Sequence, residues 1–439
     1  MQSVSSAQSR NRASGIPVSS KVGKAAGLSI VVIIFLFTLL PPLSIPLGPI
    51  RLSPYRILLL IMLVPCFFKF ISGKAGKIIA ADVFIFLHAF WAVIALSAVH
   101  GPFREIEAAG IYVIEFLGSY LLARCYIRSS HQFEELVKWF SFILLLLLPL
   151  AIFESLTGRH PVQQLFNVYI IPVEPRMGLH RAMATFEHPI LYGVFAASTF
   201  TLSYYLTIYK SSLTKTAMRT APSLFGTFFS LSSGPLLSLI LQFGMIGWEF
   251  ITRRIPFRWL ILFLFFVLMY ITIDLLSNRK PIHVFVTYMT FNVQSAYTRI
   301  TIWDYGIAEV IRNPWFGIGM NDWIRPFWLS RSVDNYWLVV MMRFGYPAII
   351  FYALAVYTMI RAFSKRRLRS KKLITIRKAW TITIMTLIFA VCTVHLWNAT
   401  FCHFLFLLGS CVWLLDEKEE EELKKQSQPV NRQMHPRHL

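Results

Sequence analysis

Arginine side chains gather at two places in this chain where an apolar stretch is about to begin. The first is Pro175-Arg176-Met-Gly-Leu-His180-Arg181-Ala-Met-Ala-Thr185-Phe-Glu187-His188-Pro189, which leads straight into an apolar run. The second starts at Arg299-Ile-Thr-Ile-Trp303-Asp304, continues through Arg312-Asn-Pro314-Trp-Phe-Gly317-Ile-Gly319, and closes on Asp334-Asn335-Tyr336-Trp337. A planar guanidinium grips phosphate oxygens two at a time, so arginines at the mouth of an apolar run suit an anionic ligand. For Arg176 and His180 the structural alternative is anchoring at a membrane interface. An Asp-Asn pair at such a mouth is costly unless it is paired, which marks Asp334 and Asn335 for function; capping of the following helix is the plain alternative. Arg299 and Trp303 lie four apart, on one face of a short helix that Asn313-Pro314 would stop, and Gly317-x-Gly319 makes a turn that lets backbone approach a ligand. No His/Cys/Asp/Glu set has metal-ligand spacing, so neither a metal nor a cofactor is expected. The five cysteines, Cys66, Cys125, Cys392, Cys402 and Cys411, form no C-x-x-C pair and read as core residues.

Membrane helices must position these residues. A chain that is 56% hydrophobic and only 15% charged does not stay in solution as a globule. The expected fold class is all-α and polytopic, because runs of about 20 apolar residues cross a bilayer as helices. About twelve such spans are expected, at 27–44, 56–72, 78–99, 109–124, 139–153, 189–209, 221–232, 234–252, 259–276, 336–360, 379–397 and 399–415. The connections at 69–77, 124–138, 210–219, 253–258 and 361–378 are all basic, and under this count all fall on one side. By the positive-inside rule that side is cytoplasmic and holds both termini, so the net charge of +22 reflects topology and no nucleic-acid partner is expected. The expected organisation is a basic tail (1–26), an integral membrane domain (27–415) and a C-terminal tail (416–439), with the acidic run from Asp416 a solvated helix end. Two connections on the opposite side, 154–188 and 277–334, exceed the about 12–15 residues at which a loop is usually functional or disordered. The second carries Trp303, Trp315, Phe316, Trp323, Phe327 and Trp328, so folded caps with short helices are expected.

The order of these motifs carries a resemblance. Arg181 stands in Arg-Ala-x-x-Thr-Phe-x-His-Pro near the end of the first long outer segment; the Ser-rich turn Ser230-Leu-Ser232-Ser233-Gly234 follows. Then come Arg299-x-x-x-Trp303, Asn-Pro-x-x-Gly-x-Gly, and Asp334-Asn335-x9-Gly345. The chain resembles the bacterial superfamily of O-antigen polymerases and O-antigen ligases, integral-membrane glycosyltransferases using undecaprenyl-pyrophosphate-linked glycans, over roughly 170–350 by motif and throughout by topology. The resemblance implies a large multi-span, GT-C-like architecture in the inner membrane with a periplasmic active site. Its partners would be the lipid-linked glycan, the bilayer and a chain-length regulator, and its chemistry would need no metal. It implies Arg181 and Arg299 as pyrophosphate ligands with Arg176 or Arg279 adding charge, and Asp334 as general base with Glu187 and His188 behind it. Asn335 and Tyr336 would orient the sugar, and Trp303, Trp315 and Trp323 are candidates for stacking on it, with packing the alternative. The ligase pattern has His where this chain has Asp334 and a second Gly where it has Ala348, and the superfamily's Ser-Arg turn reads Ser232-Ser233 here. These departures favour a polymerase over a ligase. A transporter or flippase for a lipid-linked substrate is the reading from another class; against it, no internal repeat is evident, and spans 189–276 and 336–415 carry few ionisable residues, His395 and Asn398 being the main polar exceptions.

Overall fold

Backbone amides inside a bilayer find partners only within their own helix, so long apolar runs must be helical there. A computed structural model describes residues 27–47, 50–102, 104–170, 172–288 and 293–417. The tails 1–26 and 418–439, with most of the acidic run, lie outside the described residues. Helices appear at all twelve expected places. They are α1 (Ile30–Thr38), α2 (Pro54–Ile71), α3 (Ala80–His100), and α4 (Ile106–Val113), which continues through a π turn into α5 (Ser119–Tyr126). There follow α6 (Ser130–Thr157), α7 (Pro161–Leu165), α8 (Pro189–Ile208), α9 (Leu213–Phe229), α10 (Ser233–Ile251) and α11 (Arg258–Leu276). The last are α12 (Pro281–Tyr288), α13 (Val293–Arg312), α14 (Tyr336–Lys365), α15 (Lys371–Ala390) and α16 (Asn398–Gly409). One antiparallel hairpin, β1 (Ile45–Leu47) with β2 (Ile50–Leu52), precedes α2.

Among the described residues nine helical segments are long and apolar enough to cross a membrane. Three expected spans are not among the nine. The first, α1, has nine residues, and α9 has 17, with Lys215, Arg219 and Pro222 among them. The third, α8, has 20 residues rich in Ser and Thr, and it is buried along most of its length between α6, α9, α10 and α15. Such a helix meets protein on every side, so it needs less apolarity than one facing lipid; Ser198 bonds His403 at 2.8 Å and Ser203 bonds Ser141 at 2.8 Å. By contrast α11 is apolar all round and buries nothing, as a helix bathed in lipid would. Four of the cysteines are buried and free; Cys392, expected in the core, is exposed at the end of α15.

The five basic connections meet at one end of the bundle. Arg124 pairs with Asp82 and donates to the carbonyls of Ala75 and Lys77, Arg128 reaches Asp416 at 2.9 Å, and Lys210 and Lys372 both reach Glu134, at 2.6 and 3.5 Å. Lys378 and Arg258 share Glu249, and Arg366 donates to the carbonyl of Leu415. The starts of α2, α8, α10, α14 and α16, and both long connections, lie at the opposite end. The expected short helices are present there as α7 and α12, but the helix bearing Arg299 is the longer α13, stopped at Arg312 before Asn313-Pro314 as expected. A small apolar core holds this cap onto α14: Ile302, Val310, Trp323, Leu329, Leu338 and Met342, with Trp303 against it.

The expected ligand-facing turn at Gly317-Ile318-Gly319 faces protein instead. Gly345 breaks α14 with φ 76° and ψ −178°, which frees carbonyls that the turn collects. Ile318 N–H donates to Met342 at 2.7 Å, Gly319 N–H to Arg343 at 3.1 Å, and Tyr346 N–H returns to Pro314 at 2.8 Å. A Cβ on Gly345 would run into the carbonyls of Trp315 and Pro314, and one on Gly317 into the backbone of Met342 to Phe344. The break bends α14 sharply: Tyr336 and Tyr352, 16 residues apart and so about 24 Å apart on a straight helix, have ring centroids 6.1 Å apart. Gly345→Ala is therefore expected to destabilise the protein by at least about 1–3 kcal/mol, the cost of a strained left-handed residue. Gly244→Ala, on α10 with open space around it, should leave the melting temperature in detergent unchanged or slightly raised. Equal melting temperatures for the two variants would contradict this account.

Candidate active site at the turn before α10

Helix α9 ends at Phe229 and α10 begins at Ser233, leaving three residues to reverse the chain. Leu231 takes the left-handed conformation (φ 45°), which is strained for a residue with a side chain. The turn thereby aims consecutive oxygens outward, and three arginines take them. Arg181 Nη2 donates to Ser232 Oγ at 2.9 Å, and its Nε to the Ser230 carbonyl at 3.5 Å. Arg176 Nη1 donates to the Leu231 carbonyl at 2.8 Å. Both Nη1 and Nη2 of Arg299 lie 3.4 Å from Ser233 Oγ. Ser232 stands at the N-cap of α10 yet caps nothing, because its hydroxyl is turned to the Ser230 carbonyl at 2.9 Å. The first turn of α10 thus presents amide donors and the positive end of its dipole toward three guanidinium groups.

Asp334 completes the group. Asn335, not Asp334, caps α14, its Oδ1 accepting from Leu338 N–H at 3.0 Å. The Asp334 carboxylate accepts from Ser332 Oγ at 3.4 Å and lies in the field of Arg181 and Arg299. Burial, and then the neighbouring charges of Arg176 and Arg299, push Arg181 down to about 10, with Asp334 opposing them. Burial also lowers Arg299, where Asp334 again opposes and Arg176 adds, and it lowers Arg176. Arg176, Arg181 and Arg299 thus outnumber the acids that act on them, Asp334 and, at Arg176, Glu174, in a partly desolvated place that suits an anion.

The segment carrying Arg181 is held from behind. Arg176 sits on a tight turn closed by its backbone pairing with Leu179 across Met177 and Gly178, both at positive φ. Ala182 N–H donates to the Phe229 carbonyl at 2.9 Å. Glu154, fully buried at the end of α6, accepts from the amides of Met183 and Ala184 at 2.8 and 2.9 Å, and Gln163 Nε2 donates to the carbonyls of Ala184 and Phe186 at 2.8 Å each. Sequence reasoning missed Glu154 and Gln163; the signal for the first was a carboxylate closing an otherwise apolar run.

The other expected site residues are spread around this group. Glu187 accepts from Trp397 Nε1 at 3.1 Å and Asn398 Nδ2 at 2.6 Å, and Asn398 in turn accepts from Arg56, which pairs with Glu115 at 2.7 Å. His188 is the N-cap of α8, its Nδ1 accepting from Ile190 N–H at 3.2 Å, and its ring lies 5.8 Å from that of Trp397. Tyr336 is buried, and among the described residues its hydroxyl lies near Tyr352 and Tyr112 without forming a hydrogen bond of good geometry. Trp303 and Trp323 pack within the cap, whereas Trp315 is 67% exposed. Arg279 is exposed on the connection after α11.

Fold and site together define a multi-pass helical membrane protein with a cluster of arginines at the end opposite its basic loops. A family model described as O-antigen ligase matches residues 220–353, a segment that includes the Ser230–Ser233 turn, Arg299, Asp334 and Gly345. Over this segment the chain is similar to the O-antigen ligase and polymerase superfamily, membrane enzymes of the glycosyltransferase kind. A search of curated proteins finds no match.

Two outcomes follow. Glu154→Ala would leave two buried amides without an acceptor, at about 1–3 kcal/mol each, so it should lower the melting temperature and remove activity; Glu154→Gln, which keeps an acceptor oxygen, should lie between it and the parent. A melting temperature for Glu154→Ala equal to that of the parent would refute this support for the loop. Burial, with Arg181 adding to it, pushes His188 down to about 4. A depressed histidine contributes stability that is full above its ordinary value of about 6.5 and is lost as the pH falls toward 4. In His188→Asn, which keeps a capping oxygen, the melting temperature should fall less between pH 7 and pH 4.5 than in the parent.

Proposed function

We propose that the protein is a polysaccharide polymerase that joins undecaprenyl-pyrophosphate-linked repeat units at the periplasmic face of the inner membrane. The observation that carries this reading is the group of Arg176, Arg181 and Arg299 on one turn, with Asp334 beside them. The cations outnumber the acids that act on them, Asp334 and, at Arg176, Glu174, and a pyrophosphate joined to lipid and sugar carries about two negative charges. The gathering of the five basic loops at the other end supports a periplasmic site and cytoplasmic termini. In the reaction an acceptor hydroxyl oxygen bonds to the anomeric carbon of the donor sugar while that carbon's bond to the pyrophosphate oxygen breaks. The electron pair of the broken bond leaves on undecaprenyl pyrophosphate, where the guanidiniums and the start of α10 stabilise it. Asp334 takes the hydroxyl proton, a contribution of about 10²–10⁴-fold. The cap role of Asn335 leaves Asp334 free for this work.

A ligase that transfers the finished glycan to lipid A–core is the second reading, favoured by the description of the matching family model. The Asp at position 334, in place of the ligase His, argues for the polymerase. A flippase would move the lipid-linked unit without making product.

Purified protein given the lipid-linked repeat unit should yield a ladder of polymer, and a single unextended band would refute catalysis altogether. Arg181→Ala and Arg299→Ala should each abolish the ladder at unchanged expression; long chains from both variants would refute the charge clamp. Asp334→Asn should lose about 10²–10⁴-fold in rate, and unchanged turnover would leave Asp334 without a role as base. In cells, deletion should remove all polymer beyond one repeat unit, whereas accumulation of unattached lipid-linked polymer would identify the ligase.

A further inference from the structure

Arg343 lies within α14, in the half that precedes the break at Gly345, and no function described above uses it. Only its backbone is engaged, through the carbonyl that takes Gly319 N–H. An arginine inside a membrane-spanning helix is expected to have a partner. The Arg343 guanidinium nevertheless forms no hydrogen bond and no ion pair with any described residue, and it is only partly buried. It acts electrostatically on Tyr112 of α4 and on His395, in the non-helical segment between α15 and α16.

Around it the bend in α14 gathers further unsatisfied groups. Tyr336 and Tyr352 are 3% and 0% exposed, yet neither hydroxyl meets a hydrogen-bond partner, although Tyr336 lies close to both Tyr352 and Tyr112. His395 Nδ1 is likewise buried and unpaired. The His395 ring stacks on that of Tyr336 at 6.2 Å and on Trp397 at 5.6 Å, and Trp397 reaches His188 of the segment that carries Arg181. Buried polar atoms are satisfied in the great majority of cases, so three orphans on the neighbouring rings of Tyr336, Tyr352 and His395, with Arg343 acting on the last, point to a polar ligand. Phenol hydroxyls and aromatic faces suit a sugar, and the guanidinium suits a negative group upon it.

We propose that Arg343, His395, Tyr336 and Tyr352 form a second oxyanion site, separate from the arginines on the Ser230–Ser233 turn, which holds a negative group of the acceptor glycan. This rests on the polymerase reading, in which two lipid-linked glycans are bound at once. The oxyanion is a sugar carboxylate or the acceptor's own pyrophosphate.

The test uses the full-length protein in lipid nanodiscs, titrated calorimetrically with D-glucuronate and, separately, with inorganic pyrophosphate. Arg343→Gln should weaken one of these two anions by roughly tenfold or more, as expected for loss of a charge-assisted hydrogen bond. Loss of glucuronate binding would identify a sugar carboxylate. Loss of one of two pyrophosphate equivalents would identify the lipid's phosphate. Arg181→Gln should leave the Arg343 site intact. If Arg343→Gln binds both anions as the parent does, the orphaned groups hold water alone and the proposal falls. If Arg181→Gln leaves anion binding unchanged while Arg343→Gln removes it, the donor reading fails and this one stands. Should Arg343→Gln not fold, Tyr352→Phe and Arg343→Lys must each weaken the same anion several-fold, and unchanged binding in both overturns the proposal.

Discussion

Wherever a helix stops or breaks inside a membrane bundle, it releases carbonyl and amide groups that only protein or a water-lined cavity can satisfy. Two such breaks organise the outer end of this protein. At the Leu231 turn the freed oxygens are taken by arginine side chains, which makes a site. At Gly345 they are taken by the backbone of Ile318 and Gly319, which makes a joint between α14 and the cap that carries Arg299. Chemistry at the first therefore depends on geometry at the second: α13 stays over α10 only while the turn at Gly317 stays docked on α14.

The two ends of the bundle treat charge differently. At the basic end the cations described above reach acids or carbonyls: Glu134 serves Lys210 and Lys372, Glu249 serves Lys378 and Arg258, and Asp416 serves Arg128. At the outer end Arg56 is neutralised by Glu115, whereas Arg176, Arg181 and Arg299 of the turn outnumber the acids that act on them, Asp334 and Glu174. Topology accounts for the first arrangement, and it gives no reason for the second. Under the proposed function, that contrast separates the charges that meet the substrate from the larger number that only orient the chain.

Much of this was legible in the sequence, and the parts that were not share a cause. Apolar run length located the helices at all twelve expected places, because the bilayer imposes one solution on each run, whereas α7, α12 and α13 of the long connections carry no such signal. Charge type picked out Arg176, Arg181, Arg299 and Asp334, because cations away from the basic loops lack the usual explanation. What a single sequence does not show is the direction in which a side chain turns. Asn335 spends its oxygen on Leu338 N–H, Glu187 faces Trp397 and Asn398, and Trp303 packs inside the cap; each was a reasonable ligand contact by type. The glycines at 317 and 319 were rightly read as a close approach of backbone, with the wrong partner, since α14 stands where a ligand was expected. Arg343 went unremarked because one cation in a long apolar run looks like noise until its surroundings are known.

The arginine cluster is itself under electrostatic strain, and that strain indicates what suits it. Arg181 is held down to about 10, well below the ordinary guanidinium range, so its charged form is disfavoured by burial and by its cationic neighbours. An anion that cancels the surrounding positive charge reverses part of that effect, so affinity for the ligand is stored in the unliganded fold. Binding the lipid pyrophosphate in this way would hold it without accelerating anything, because uniform binding lowers substrate and transition state together. Rate comes from the charge that develops on the leaving oxygen as the glycosidic bond breaks. Guanidiniums already fixed on Ser232, Ser233 and the Leu231 carbonyl need no reorganisation to meet it, whereas mobile surface arginines would. The strained turn before α10 is therefore the feature that converts a basic patch into a site able to favour the transition state.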